Sequence, residues 1–352
     1  MKILYLYSKI MPYQIPVIRE LVSRYNAEVH VVYWDTKGNA PYVPPQMENT
    51  FIYRRSELDD AQLKALVEKI APQIIYVCGW QDMGYLRAIK EPRRNGVPII
   101  TGFDEIWRGT FRQRIGAWVF PYYLMHNYTH AWVSGPRQYE FAKKLGFKDQ
   151  RILYHLYSGD TELFDRAASF LKEKAANYPK TFLFVGRMVP AKAIDTLAKG
   201  FEIYRKKYRG DWNLIGIGNG PLKQLLVDQP GVETYDFLDQ SRILELLKRV
   251  GAFVMPSRFD VSPLVVHEFA SAGLPLILSE CIGNRLLFLI EQFNGYRFKT
   301  DDAEDLAKTM HKLSSRSTTD LVEMGQNSIQ LSAAHNARFV AASLMSVVDR
   351  CT

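Results

Sequence analysis

Three cysteines, Cys78, Cys281 and Cys351, are all that the 352 residues contain, and their spacing closes neither a disulfide framework nor a zinc cluster. A reducing cytoplasm suits such a chain. No apolar run approaches the roughly 18 residues that span a bilayer, so a membrane role has to be peripheral, on the inner face. The opening MKILYLYSKIMPYQIP is broken by Ser8 and Lys9 and lacks a small-residue cleavage site, so it reads as a first buried strand and not a signal peptide. H-E-x-x-H, G-x-S-x-G and Walker patterns are absent, which removes those hydrolase and ATPase classes. GIGNG, Gly216 to Gly220, has Pro221 where a dinucleotide fingerprint has its last glycine and lies outside the first βα turn, so NAD is not expected. Its glycines are expected to let backbone approach a ligand.

What is present is an ordinary globular composition, 47% hydrophobic and 23% charged, with no room for a large disordered tail. The length suits two domains. Short apolar runs alternate with helical patterns: ILYLY, VHVVYW, IIYVC, VPIIT and HAWVS, then TFLFVG, WNLIGIG, AFVMPS and LPLILS. That alternation predicts two doubly wound α/β domains with parallel sheets, 1–160 and 161–335. The charged stretch from Thr161 to Lys180 lacks a strand pattern and reads as the passage between them. The chain is helical from Ala303 onward, and its last helix, about 336–352, packs as an appendage.

Ligands bind beyond the carboxyl ends of strands in such sheets. After TFLFVG come Arg187 and Lys192, two cations able to converge on one diphosphate or to stand as solvated surface charges. After GAFVMPS, Asp260 lies in a loop and Glu268 inside a helix that Ser262 and Pro263 are expected to start. The free N–H groups and dipole of that helix start favour an anion. Glu268, among Val265, Val266, Phe269 and Ala270, is either solvent-facing or a buried carboxylate in need of partners such as ribose hydroxyls. SECIGN (Ser279 to Asn284) and the Asn294-Gly295 turn read as cleft-edge loops.

In the first half, Asp104 and Glu105 follow VPIITGF, as a sugar-binding carboxylate or as a helix-capping acid pair. Between Trp107 and Arg151, eight Lys/Arg face only Glu140 and Asp149, a local charge of +6 within a chain of +8. Arg108, Arg112 and Arg114 mix there with Trp107, Phe111, Trp118 and Phe120. Such a stretch fits a membrane interface or an anionic lipid acceptor, or else a buried helix with a charged outer face. No nucleic-acid-binding module accompanies the patch.

Taken together, VGRMVPAKAID, the Asp260-x₇-Glu268 pair, SAGLPLILS and EQFNGYRF resemble glycosyltransferase family 4 (glycosyl transferases group 1), a retaining group with the GT-B fold. The resemblance is strong from Phe182 to Asp302 and extends to the first half in layout. It implies two Rossmann-like domains facing a cleft, the first on the acceptor side, the second binding a nucleotide-sugar donor, and the terminal helix crossing back to the first. It further implies that Arg187 and Lys192 bind the donor diphosphate in place of a metal, with backbone at Leu264 and Val265 touching phosphate. Glu268 then holds the ribose, Asp260 the transferred sugar, and Phe237 and Leu238 of YDFLD the base. Asp104 falls where other members place a histidine or an acid near that sugar. Three positions depart from the pattern: Asp260 for Glu, Ala193 for the glycine after the lysine, and SKIMPYQIP for a glycine-rich loop, the last resembling a subgroup with P-Y-x-x-P.

The resemblance thus implies a hexosyl- or N-acetylhexosaminyltransferase, retaining and metal-independent, with a UDP- or GDP-sugar as co-substrate and no cofactor. A glycan or lipid-linked acceptor in envelope polysaccharide or lipopolysaccharide synthesis, with contact to anionic membrane, fits the basic patch. The alternatives are a nucleotide-sugar epimerase of the same fold and a degenerate, non-catalytic sugar-nucleotide-binding partner.

Overall fold

Ile3, Tyr5 and Tyr7 of the first strand, β1 (Lys2–Tyr7), enter one core while Leu4 and Leu6 enter another. A strand buried on both faces belongs inside a sheet covered on both sides. The computed structural model, which describes residues 1–35 and 44–349, has two such sheets. The first contains β1, β2 (Glu28–Tyr33), β3 (Thr50–Arg54), β4 (Ile74–Cys78), β5 (Ile99–Phe103), β6 (His130–Val133) and β7 (Ile152–Leu153), in the order β3-β2-β1-β4-β5-β6-β7. The second contains β8 (Thr181–Val185), β9 (Asn213–Ile217), β10 (Val232–Tyr235), β11 (Ala252–Met255), β12 (Leu276–Ser279) and β13 (Gly295–Phe298), in the order β10-β9-β8-β11-β12-β13. All pairings are parallel. In each sheet the chain order reverses beside the first strand, between β1 and β4 and between β8 and β11. That reversal opens a crevice at the carboxyl edge.

The chain divides into two compact units, Met1–Ser158 with Ala337–Thr352, and Gly159–Asn336. The stretch expected to be a passage is instead helical within the second unit, over Thr161–Ala168 and Phe170–Lys174; Phe164, Ala167 and Leu171 are buried there. The helix Ala337–Asp349 returns to the first unit. Its Val340, Ala341, Leu344 and Val347 recur at helical spacing and join the core formed by β1 and the helix Gln14–Tyr25. Cys78 and Cys281 are free thiols; Cys351 and residues 350–352 lie outside the described residues. No described helix is long and apolar enough to cross a membrane.

Candidate functional site

The second unit's crevice collects the two predicted cations and the first predicted acid. β8 ends at Val185, and Arg187 follows, exposed and without an ion pair among the described residues. A turn of 3₁₀ helix, Pro190–Lys192, then carries Lys192 back over the edge. From the neighbouring β11 comes the loop with Asp260, whose carboxylate forms an ion pair with the Lys192 ammonium. The two side chains are only 17% and 16% exposed, so desolvation makes each dependent on the other.

Several bonds hold these loops together. Arg258 donates from its backbone N–H to the Ala191 carbonyl at 3.0 Å and from Nη1 to the Pro190 carbonyl at 2.6 Å. Its Nη2 and Nε reach Asp195 and Asp301 at 2.7 and 2.6 Å. Ala193, fully buried, closes the turn in the left-handed conformation with φ 53° and ψ 47°. This is where the family pattern has glycine, the residue that adopts such a backbone without a Cβ clash. The GIGNG glycines serve the same neighbourhood. A Cβ on Gly218 would lie 2.0 Å from the Gly186 carbonyl oxygen, and one on Gly220 2.4 Å from that of Met188. These glycines make room for the Gly186–Met188 backbone.

The helix expected after Ser262 spans Leu264–Ser271, with Pro263 as its N-cap and no side-chain cap. Ser262 therefore does not cap it, a correction whose cause is the extended backbone at Pro263 (ψ 112°). The amides of Leu264 and Val265 stand in the first turn, where no earlier helical carbonyl can accept from them. Asn284 of SECIGN donates from Nδ2 to the Pro263 carbonyl at 2.9 Å and anchors this start, while its buried Oδ1 has no partner among the described residues. Asn294, also expected at a cleft edge, is instead fully buried and structural. Its amide bonds the Phe288 carbonyl, the Ile290 N–H and Ser328 Oγ.

Glu268 lies on the fifth residue of this helix, half-buried, beside buried Val266, Phe269 and Ala270. Desolvation pushes its carboxyl up to about 7, the Asp160 charge adds to this, and a hydrogen bond from the Asp160 backbone N–H opposes it. Glu268 thus stands partly covered by its neighbours and partly open to solvent. Gly159 and Asp160, which supply this packing, were not legible in the sequence. Their signal was the SGD triplet before a helix, without a periodic pattern to mark it.

Phe237 and Leu238 follow β10, at the same carboxyl edge. Phe237 is 88% exposed, Leu238 packs partly on the core, and Asp239 caps the next helix through the Arg242 N–H at 2.9 Å. Among the described residues no group of three or more His, Cys, Asp or Glu is arranged to hold a metal ion.

Asp104 belongs to the first unit, in the loop after β5, and its carbonyl accepts from Gln138 at 2.9 Å. Its charge raises the phenol pKa values of Tyr13 and Tyr157, already raised by burial. The capping alternative fails, because the next helix, Phe111–Tyr123, starts much later with Thr110 as its N-cap. That helix is not buried either. Phe111, Ile115, Trp118 and Tyr122, at spacings of one helical face, are 79, 47, 72 and 73% exposed, and Phe120 alone is buried.

With this geometry in hand, comparison with known proteins is informative. Residues 179–316 match the family model "Glycosyl transferases group 1". An uncharacterized glycosyltransferase of Haemophilus influenzae is 27% identical over 139 residues, 38% of this chain and 39% of that protein. The match thus spans well under half of the relative. Sucrose-phosphate synthase from Thermosynechococcus elongatus superposes with a TM-score of 0.73 at 16% identity, over 99% of both chains. The Anabaena Alr3699/HepE protein in complex with UDP-glucose does so with 0.68 at 14% identity, over 99% of this chain and 100% of that one. The fold is thus the α/β GT-B fold, and residues 179–316 are similar to the glycosyl transferases group 1 family.

Proposed function

We propose that this chain is a glycosyltransferase that moves a hexosyl or N-acetylhexosaminyl group from a UDP- or GDP-sugar to a glycan or lipid-linked acceptor. The Lys192–Asp260 ion pair beside Arg187, at the crevice of the family-matched unit, carries this reading. Breaking a glycosyl–phosphate bond leaves negative charge on the diphosphate. Arg187, Lys192 and the amides of Leu264 and Val265 offer preorganised positive charge and dipoles to it without a metal. Lys192 then exchanges a carboxylate partner for a phosphate one, and Asp260 is released toward the hydroxyls of the transferred sugar. Glu268 accepts from the ribose, Phe237 offers an exposed ring to the base with Leu238 beside it, and Asp104 of the first unit is the acid that the family resemblance assigns to the transferred sugar. Retention of configuration rests on the family resemblance. The UDP-glucose complex of the Anabaena protein favours UDP as the first nucleotide to test.

The acceptor belongs to envelope polysaccharide or lipopolysaccharide synthesis, and the Phe111–Tyr123 helix rests on the anionic inner face of the membrane. An exposed aromatic stripe, Arg112 and Arg114 beside it, and no acid within the helix give both terms of interfacial binding, apolar burial and charge attraction. The donor reading is tested by thermal shift with UDP, GDP and their sugars in EDTA. A selective stabilisation supports it by mass action; none with any nucleotide in folded protein contradicts it.

A further inference from the structure

The helix that carries Glu268 also carries His267, which is 1% exposed. His267 Nδ1 meets the Gly159 N–H at 2.9 Å, and Nε2 meets the Ser332 carbonyl at 3.1 Å. A backbone N–H can only donate and a carbonyl can only accept, so the ring is the neutral tautomer protonated at Nε2. Burial lowers its pKa to about 4, which keeps that tautomer across the physiological range. The ring also stacks on Phe288, with centroids 4.6 Å apart and planes at 19°.

The Gly159 end of this arrangement bears on Glu268 directly. A Cβ on Gly159 would lie 2.8 Å from Glu268 Cγ, so the backbone is pressed against that side chain. The next residue, Asp160, brings its backbone N–H near enough to the Glu268 carboxyl to lower its pKa against the desolvation that raises it. Gly159 begins the second unit and Ser332 lies just before its last residue, Asn336. One imidazole thus ties both ends of the unit to the Glu268 helix.

We propose that His267 is a positioning residue: by gripping the Gly159 N–H it holds the Asp160 N–H on the Glu268 carboxylate and so sets the charge and orientation that Glu268 presents to the ribose. This rests on the reading of Glu268 as the ribose-binding group. The charged group acting on Glu268 is Asp160, which precedes the Thr161–Ala168 helix, and the one acting on His267 is His335, beyond the Thr318–Ala333 helix. Without the grip, Glu268 loses a donor to its ionised form but keeps the repulsion of Asp160, and both changes favour the protonated acid.

The test follows the Glu268 carboxyl by ¹³C NMR in the unliganded protein, with Glu268→Gln assigning the signal. His267→Phe keeps the stack on Phe288 and removes both hydrogen bonds; its Glu268 midpoint is expected to rise by about one pH unit. His267→Gln carries an acceptor and a donor in one amide and is expected to restore most of the shift. An unchanged midpoint in folded His267→Phe overturns the proposal. In the wild type, slow amide hydrogen exchange at Gly159 and Asp160 is expected, and fast exchange there overturns it even if the phenylalanine variant does not fold. Calorimetry with UDP separates the two ideas. UDP binding that depends on Glu268 with an unmoved midpoint defeats the positioning role alone, and a moved midpoint without UDP binding defeats the ribose reading alone.

Discussion

The two units share one scaffold and carry different chemistry at the same place on it. In both, the strand order reverses beside the first strand. At the crevice of the second unit stand Arg187, Lys192 and Asp260, the last two ion-paired, and Arg258 ties the Asp260 loop to the Pro190–Lys192 turn. The equivalent edge of the first unit holds Ser8, whose Oγ lies 3.3 Å from Cys78 Sγ, and a cavity of about 20 Å³ walled by Tyr5, Tyr7, Tyr13, Gln14, Trp132 and Tyr157. Tyr5 Oη and Gln14 Nε2 are buried there without partners among the described residues, in a space the size of a water molecule. The sheet decides where a ligand goes, and the loops beyond it decide which ligand. Preorganised cations suit a diphosphate; phenols and an amide suit neutral hydroxyls.

The sharpest way to break this comparison is to remove a cation from the second unit and one from the first. Lys192→Ala and Arg187→Ala are each expected to lower kcat/KM by about 10²–10³, roughly 3 kcal/mol of transition-state stabilisation. Arg112→Ala is expected to leave steady-state turnover of a soluble acceptor unchanged. Glu268→Gln probes the second unit through stability. Because the folded pKa of about 7 lies above the ordinary 4.5, the stabilisation linked to protonated Glu268 is full below pH 4.5 and is lost as pH rises through 7. Glu268→Gln therefore flattens this dependence and at pH 8 is expected to raise stability by up to about 3 kcal/mol, read by denaturant titration, while UDP binding weakens. Relief of the left-handed backbone in Ala193→Gly is expected to raise stability by about 1 kcal/mol with activity retained. The smallest effect belongs to the first unit. Trp118→Ala with Tyr122→Ala is expected to reduce co-sedimentation with anionic vesicles and leave the thermal shift by UDP untouched. Equal sedimentation of the wild type with neutral and anionic vesicles contradicts the docking reading.

Legibility in the sequence followed burial. The strands read directly were those with continuous apolar runs, from β1 and β2 to β11 and β12. The four outside those runs, β3, β7, β10 and β13, are all edge strands, and of these only β13 was announced, by the Asn294-Gly295 turn before it. β3 and β10 have no fully buried residue and β7 is two residues long, so none has the apolar run that marks a strand covered on both faces. Among the candidate site residues, the placing of Arg187, Lys192 and Asp260 beyond strand ends was legible because each follows an apolar run within a recognisable motif. Arg258, Gly159 and His267 were not. Their roles depend on partners 43 to 108 residues away in the chain, and no local pattern encodes such a pairing. Ala193 looked like a defect in the motif and proves to be a strained but sterically complete version of the same turn.

The central claim is that the cations of the second unit bind a nucleoside diphosphate without a metal. Isothermal titration of the wild type and Lys192→Ala with UDP and GDP, in EDTA, tests it most directly. Saturable one-site binding of one nucleotide by the wild type, weakened at least tenfold in Lys192→Ala, is the predicted result. Binding of neither nucleotide, equal binding by the two proteins, or binding that returns only with added Mg²⁺ would contradict it.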